Sequence, residues 1–150
     1  MPFSFLHAAD LHLDTPFTSV SGYPERVGAA LREASLEAWD ALIQTAINRQ
    51  VAFVVLAGDI YDGAERGIRA QRAFLDGVTR LADHGIRTFL VHGNHDPVTE
   101  GWTAITTFPD AVHRFSETEV ESMAFEAGGE QVVVHGTIFA ASATTENLAL

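Results

Sequence analysis

The 150-residue chain contains no cysteine. That excludes a disulfide framework and any thiolate metal site. Positive charge is scarce: 9 basic residues stand against 20 acidic ones, for a formal net charge of −11. A protein that holds nucleic acid by electrostatics alone needs a basic face, so that class is disfavoured. A phosphoester substrate is still allowed, because bound divalent cations would reverse the local sign. No apolar run approaches the roughly 20 residues that span a bilayer. The N-terminus has no basic segment followed by a long apolar one, so no signal peptide is visible. Repeats and low-complexity tracts are also missing. What remains is a chain 47% hydrophobic and 19% charged, the profile of one globular domain. A cytoplasmic enzyme without a membrane segment is the expectation.

The apolar pattern predicts alternating strands and helices. Phe3 to Ala9 reads as a short buried strand, Val51 to Ala57 as a β-branched one buried on both faces, and Ile86 to Val91 as a third. Between the first two, Val27, Leu31, Ala34, Ala38, Leu42 and Ala46 recur at three- and four-residue spacing, widened by Trp39 and Ile43. That predicts an amphipathic helix from Pro24 to about Arg49, with Trp39 in the core. Ile68, Phe74, Leu75, Val78, Leu81 and Ala82 predict a second helix, closed at Asp83-His84-Gly85 with Gly85 as the residue past its end. Strand, helix, strand is a βαβ unit, so the fold class is α/β with a parallel sheet. Further on, Trp102 to Phe108 predicts a short helix and Val112 to Phe115 a short strand. Ser122 to Glu126 and Gln131 to His135, joined by Gly128-Gly129, predict a hairpin in the second half of the sheet.

The chemistry sits where the three strands run out. The first ends in Asp10-Leu11-His12, the second in Gly58-Asp59, the third in Gly93-Asn94-His95-Asp96. Carboxyl ends of parallel strands are where open α/β sheets place their sites. Asp10 and His12, two apart on an extended backbone, project to the same side. Any one cluster is an ordinary polar turn, but three at three strand ends are not a coincidence. Asp10, His12, Asp59 and Asn94 form an oxygen and nitrogen donor set suited to Mn, Fe, Zn or Mg. Asp59, on the middle strand in sequence order, is the natural bridge between two cations. Such a pair polarises a phosphoryl oxygen and activates a bridging water. His95 is then a candidate general acid for the leaving oxygen, oriented by Asp96. Arg66, His84, His113, His135, His7 and His92 read as structural or solvated residues.

Those three clusters, in this order and spacing, resemble the calcineurin-like metallophosphoesterases over roughly residues 3 to 97. Ala9-Asp10-Leu11-His12-Leu13-Asp14 and Gly58-Asp59-Ile60-Tyr61-Asp62 are similar to the bacterial DNA-repair exonuclease branch, whose nuclease subunit works with an SMC-like ATPase. The run continuing through Thr15-Pro16-Phe17 is similar to a side group of that branch. The resemblance implies a layered α/β/β/α sandwich with two sheets flanked by helices, and a dinuclear centre, usually manganese. It implies that Asp10 and His12 bind the first metal, Asp59 bridges, Asn94 binds the second, and His95 contacts the scissile phosphate or protonates the leaving group. DNA is the implied substrate and an SMC-like ATPase the implied partner.

One departure stands out. The family supplies later histidines, including a Gly-His-x-His motif; this sequence has no such motif, and neither His113 nor His135 has that spacing. The expectation is therefore the N-terminal half to two-thirds of a single phosphoesterase domain, with weak metal occupancy, little activity and self-association through the incomplete sheet. The runner-up readings are a phosphomonoesterase of the same superfamily and a binding or scaffold module without catalysis. The first is disfavoured because Gly63 follows Asp62 and Asp96 follows His95, where protein phosphatases carry arginine and glutamate.

Overall fold

Four short strands take up the apolar runs. They are β1 (Phe5–Ala8), β2 (Phe53–Ala57), β3 (Arg87–Val91) and β4 (Val112–Arg114), paired in that order and all parallel. The computed structural model describes residues 2–15, 25–62, 67–93, 105, 107–116 and 118–138. Helix α1 (Glu25–Asn48) crosses from β1 to β2 and α2 (Ile68–Asp83) from β2 to β3. The register puts Leu6, Val54, Thr88 and Val112 in one row, with Ala8, Leu56 and Leu90 two residues on. These residues face the helices. Period-2 alternation turns His7, Val55, Phe89 and His113 to the opposite face.

The two faces have different cores. Against the helices, Val54, Leu56 and Leu90 pack with Ile43, Ala46, Val78 and Leu81, under Trp39 and Phe74. Trp39 also donates its indole N–H to the Ala73 carbonyl at 2.9 Å, which ties α1 to α2. Helix α2 leaves a gap for that ring at Gly77, where a Cβ would come 2.4 Å from Trp39 Nε1. On the other face Phe53, Phe89 and Phe115 meet Phe125, Val132 and Val134. Phe125 is edge-on to Phe53 and stacked on Phe89, each at 5.2 Å between centroids. Such pairs add about 0.5–1.5 kcal/mol beyond their area burial.

The second core is closed by β5 (Glu121–Ala127) and β6 (Glu130–Gly136), an antiparallel pair. Gly128 and Gly129 form its two-residue turn with φ of 60° and 83°. A type I′ turn, whose twist matches its strands, needs both values positive, and glycine reaches them without strain. The hairpin corrects one expectation: it forms its own two-stranded sheet and does not extend the first. The layers described are thus helix, parallel sheet and hairpin.

A second correction concerns β1. It is an edge strand, not a buried one. Phe5 is 55% exposed although stacked on Phe53, and His7 is exposed. The hairpin core reaches only the inner part of that face. Most of the helix expected at 102–108 lies outside the described residues, and Ile105, Thr107 and Phe108 within it are not helical. Among the described residues no helix is long and apolar enough to cross a membrane.

Candidate metal centre

Beyond β1 and β2 the chain does not separate into two loops. It stays zipped by backbone hydrogen bonds: Asp10 N–H to the Gly58 carbonyl (3.2 Å), His12 N–H to Asp59 (3.0 Å) and Leu13 N–H to Ile60 (3.0 Å). Leu13 and Ile60 are buried and anchor the two segments in the core. Between these anchors, one donor atom each from Asp10, His12 and Asp59 come within 4.8 Å of one another. Residues about fifty apart in sequence meet because parallel pairing puts Ala8 opposite Leu56.

The local backbone is unusual. Asp10, His12 and Asp59 have φ of 55°, 43° and 50°. This left-handed region is sparsely used outside glycine, though Asp, Asn and His tolerate it best. The extended backbone expected for Asp10-Leu11-His12 is therefore incorrect, although the two side chains do converge. Left-handed residues on both sides of Leu11 bring the chain around while Leu13 turns inward.

Glycine brings the third strand end to the site. Gly58, with φ of 86°, donates its N–H to the Val91 carbonyl at 3.1 Å. A Cβ there would lie 3.2 Å from the Gly93 Cα. A Cβ on Gly93 would fall 2.1 Å from Asp59 Oδ1 and 2.7 Å from Asp59 N. The end of β3 thus lies directly on the Asp59 backbone and carboxylate, in space that a Cβ could enter only by displacing them. Asn94 is the next residue in the chain. Asn94, His95 and Asp96 lie outside the described residues.

The described donors fit a cation. Bonds of about 2.0–2.2 Å at tetrahedral angles set donors roughly 3.3–3.6 Å apart, and these three lie within 4.8 Å of one another, close enough for side-chain rotation to close them on one ion. Two carboxylates and an imidazole suit Mn, Fe, Zn or Mg, and the Gly93 contact holds the Asp59 carboxylate at the meeting point. His12 Nδ1 lies 3.9 Å from Asp62 Oδ1, a carboxylate that can hold the ring once the other nitrogen is engaged.

Among the described residues no other histidine belongs to this donor group. His92 is buried. His84 caps α2 and contacts the Arg80 carbonyl through Nδ1 at 2.8 Å. His113 faces Glu121 at 3.5 Å. His135 pairs with Ser122 Oγ at 2.7 Å on the exposed side of the hairpin. A cleft of about 390 Å³ opens beside Arg87, Asp110, His113 and Met123. It lies at the amino ends of β3 and β4, and so away from the donors.

Residues 3–148 match the model of the calcineurin-like phosphoesterases. The chain belongs to that family. Its members typically bind two divalent cations, and the mixed α/β architecture with a parallel sheet is the metallophosphoesterase fold. Among curated relatives, the uncharacterized metallophosphoesterase YhaO of Bacillus subtilis is 37% identical over 97% of this chain and 36% of its own length. A subunit of the nuclease SbcCD of Escherichia coli is 33% identical over 62% of this chain and 21% of its own. The DNA double-strand break repair protein Mre11 of Methanococcus maripaludis is 30% identical over 61% and 23%. The chain thus spans about a third or less of the length of these relatives.

Several groups that support the site are not evident from the sequence. Asp62 sits beside His12, and Asp14 is held by Ser35, Arg69 and the start of α2. The only hint is their place inside the two motifs. A hydrogen bond to Glu33 raises the Arg69 pKa above the ordinary arginine value, with the charges of Glu33 and Asp14 adding to it and desolvation opposing.

Proposed function

We propose that this chain carries the metal-binding part of a phosphodiester hydrolase that acts on DNA. The observation that supports the reading is the convergence of Asp10, His12 and Asp59 at the carboxyl ends of two parallel strands. Asp10 and His12 would hold one cation and Asn94 a second, with the Asp59 carboxylate between them. Bound cations supply positive charge against a phosphoryl oxygen and an activated water. In this reading, His95 gives its proton to the leaving oxygen, and Asp96 keeps the imidazole in the orientation that allows it. Manganese is the proposed metal, favoured by the sulfur-free donor set and by the family resemblance.

DNA is proposed because relatives at 30–33% identity are named for nuclease and strand-break repair functions. The same resemblance proposes an SMC-like ATPase subunit as partner. With a net charge of −11, approach of a polyanion would depend on the cations in the site. The test compares hydrolysis of bis(p-nitrophenyl) phosphate, p-nitrophenyl phosphate and linear duplex DNA in manganese, by the full-length protein and by its Asp59→Asn variant. The expected outcome is metal-dependent cleavage of the diesters by the parent and background rates for the variant. Faster cleavage of the monoester would make the protein a phosphomonoesterase. Metal uptake without cleavage of any substrate would make it a binding module.

A further inference from the structure

Asp14 has no place among the donors, yet both helices hold it. Its backbone is left-handed, with φ of 58°, two residues past His12. Its N–H donates to Ser35 Oγ on α1 at 3.0 Å, while that hydroxyl donates to the Arg32 carbonyl at 2.9 Å. Its carboxylate is only 15% exposed and lies 3.8 Å from Arg69 Nη1 on the first turn of α2. The other arm of the same guanidinium pairs with Glu33 of α1. Asp14 Oδ2 also packs on Gly67, where a Cβ would meet it at 3.5 Å. Gly67 caps α2 with no side-chain hydrogen bond of its own, so the carboxylate stands by a helix N-terminus that favours negative charge.

From this we infer that Asp14 is a positioning residue, which with Ser35 and Arg69 clamps the 10–14 segment to both helices and so fixes where His12 presents its ring. The inference rests on the metal reading proposed above. Its physical basis is strain. Asp10 and His12 are held in a disfavoured conformation, and such conformations persist only where the surroundings over-determine them. Bonds to Gly58, Asp59 and Ile60 secure one side of the segment. Asp14 secures the other. Exposed ion pairs contribute little by themselves, so the half-exposed Arg69 matters less than the Asp14 carboxylate, 15% exposed and held from the Gly67 side as well.

Asp14→Asn separates the charge from the backbone, because asparagine tolerates the same left-handed conformation and the Ser35 bond uses the main chain. The first measurement is amide exchange in the metal-free full-length chain. The clamp predicts faster exchange at His12 and Leu13 in Asp14→Asn, with core amides of β2 unchanged. The second is titration with manganese. Asp14→Asn should weaken binding about tenfold, the low end of the range for groups that support a ligand. Arg69→Ala should weaken it less, and Arg69→Lys should recover most of that loss. Unchanged exchange at His12 and Leu13 would overturn the clamp whatever the metal does. So would manganese binding by the parent that the variant matches in affinity. A parent chain that takes up no manganese, with exchange faster in the variant, would overturn the metal reading and leave the clamp standing.

Discussion

At Leu56 and Leu90 the parallel sheet is ordinary: the strands are regular, and the side chains are fully buried against aliphatic helix residues. Two or three residues further along the same strands the pattern inverts. Gly58 and Asp59 have positive φ, Gly93 is pressed on a carboxylate, and Asp10 and His12 across the rim are left-handed. The interior is arranged for packing, while the rim brings acidic groups close together in conformations that cost free energy, of order 1–3 kcal/mol per strained residue. The interior must therefore supply the stability that the rim consumes. Substitutions in one region should move stability and leave the metal alone, and substitutions in the other should do the reverse.

The largest effect tests the proposed proton donor while leaving Asp10, His12 and Asp59 unchanged. His95→Ala should lower diester turnover by about 10²–10⁴-fold, the contribution of a positioned proton donor, while metal content by atomic emission stays near that of the parent. A metal-free variant would make His95 a ligand. The interior counterpart is Phe53→Ala. Phe53 is buried and within ring contact of Phe3, Phe5, Phe89 and Phe125. Its loss should cost about 3–5 kcal/mol in denaturant unfolding, with manganese affinity retained below the transition. If affinity fell in step with stability, rim and interior would be one cooperative unit and the contrast would fail.

Much of this division is legible in the residues, and the parts that are not share a cause. Periodicity locates α1 to within a residue or so, because a long stripe with Trp39 and Ile43 leaves one helical solution. The hairpin turn is legible because Gly128-Gly129 can satisfy two positive φ values. The three clusters point to one edge because each follows an apolar run, and the three runs, β1, β2 and β3, are parallel neighbours in that order. Less visible is anything fixed by contacts distant in sequence. Phe3 to Ala9 carries polar Ser4 and His7 where Val51 to Ala57 carries no polar side chain, yet nothing in it tells that the aromatic cover stops short of Phe5. Asp-x-His suggests alternation on a strand. Only the partner loop at 58–60, which bonds to Asp10, His12 and Leu13, forces the left-handed path. Asp14 looks like a turn residue until Ser35 and Arg69, 21 and 55 positions away, are brought beside it.

A smaller effect comes from one methyl group at the rim. Gly93→Ala puts a Cβ where Asp59 Oδ1 and Asp59 N now lie, so the carboxylate or the backbone must move. Overpacking of this kind costs about 1–3 kcal/mol, and here it should appear as a loss of manganese affinity of about tenfold to a hundredfold, with thermal unfolding of the apo chain shifted by only a few degrees. The opposite outcome, intact affinity and a collapsed Tm, would place Gly93 with the interior.

The smallest effect has the opposite sign and is the sharpest form of the contrast. Asp10 is exposed and left-handed at φ 55°, so its side chain contributes little burial. Glycine adopts that conformation without steric cost, whereas a residue with a Cβ pays about 1 kcal/mol, somewhat less for aspartate. Against this, glycine widens the unfolded ensemble by about 0.4–1 kcal/mol. Asp10→Gly also removes one negative charge from the group with Asp59. The net expectation is a metal-free variant at least as stable as the parent, and up to about 1 kcal/mol more stable in urea with chelator present, that has lost a ligand and binds manganese far more weakly. Stability gained by deleting a functional residue is the signature of strain kept for chemistry. A variant destabilised by more than about 1 kcal/mol would mean that Asp10 holds the loop together, and the rim would then be built on the same terms as the core beneath it.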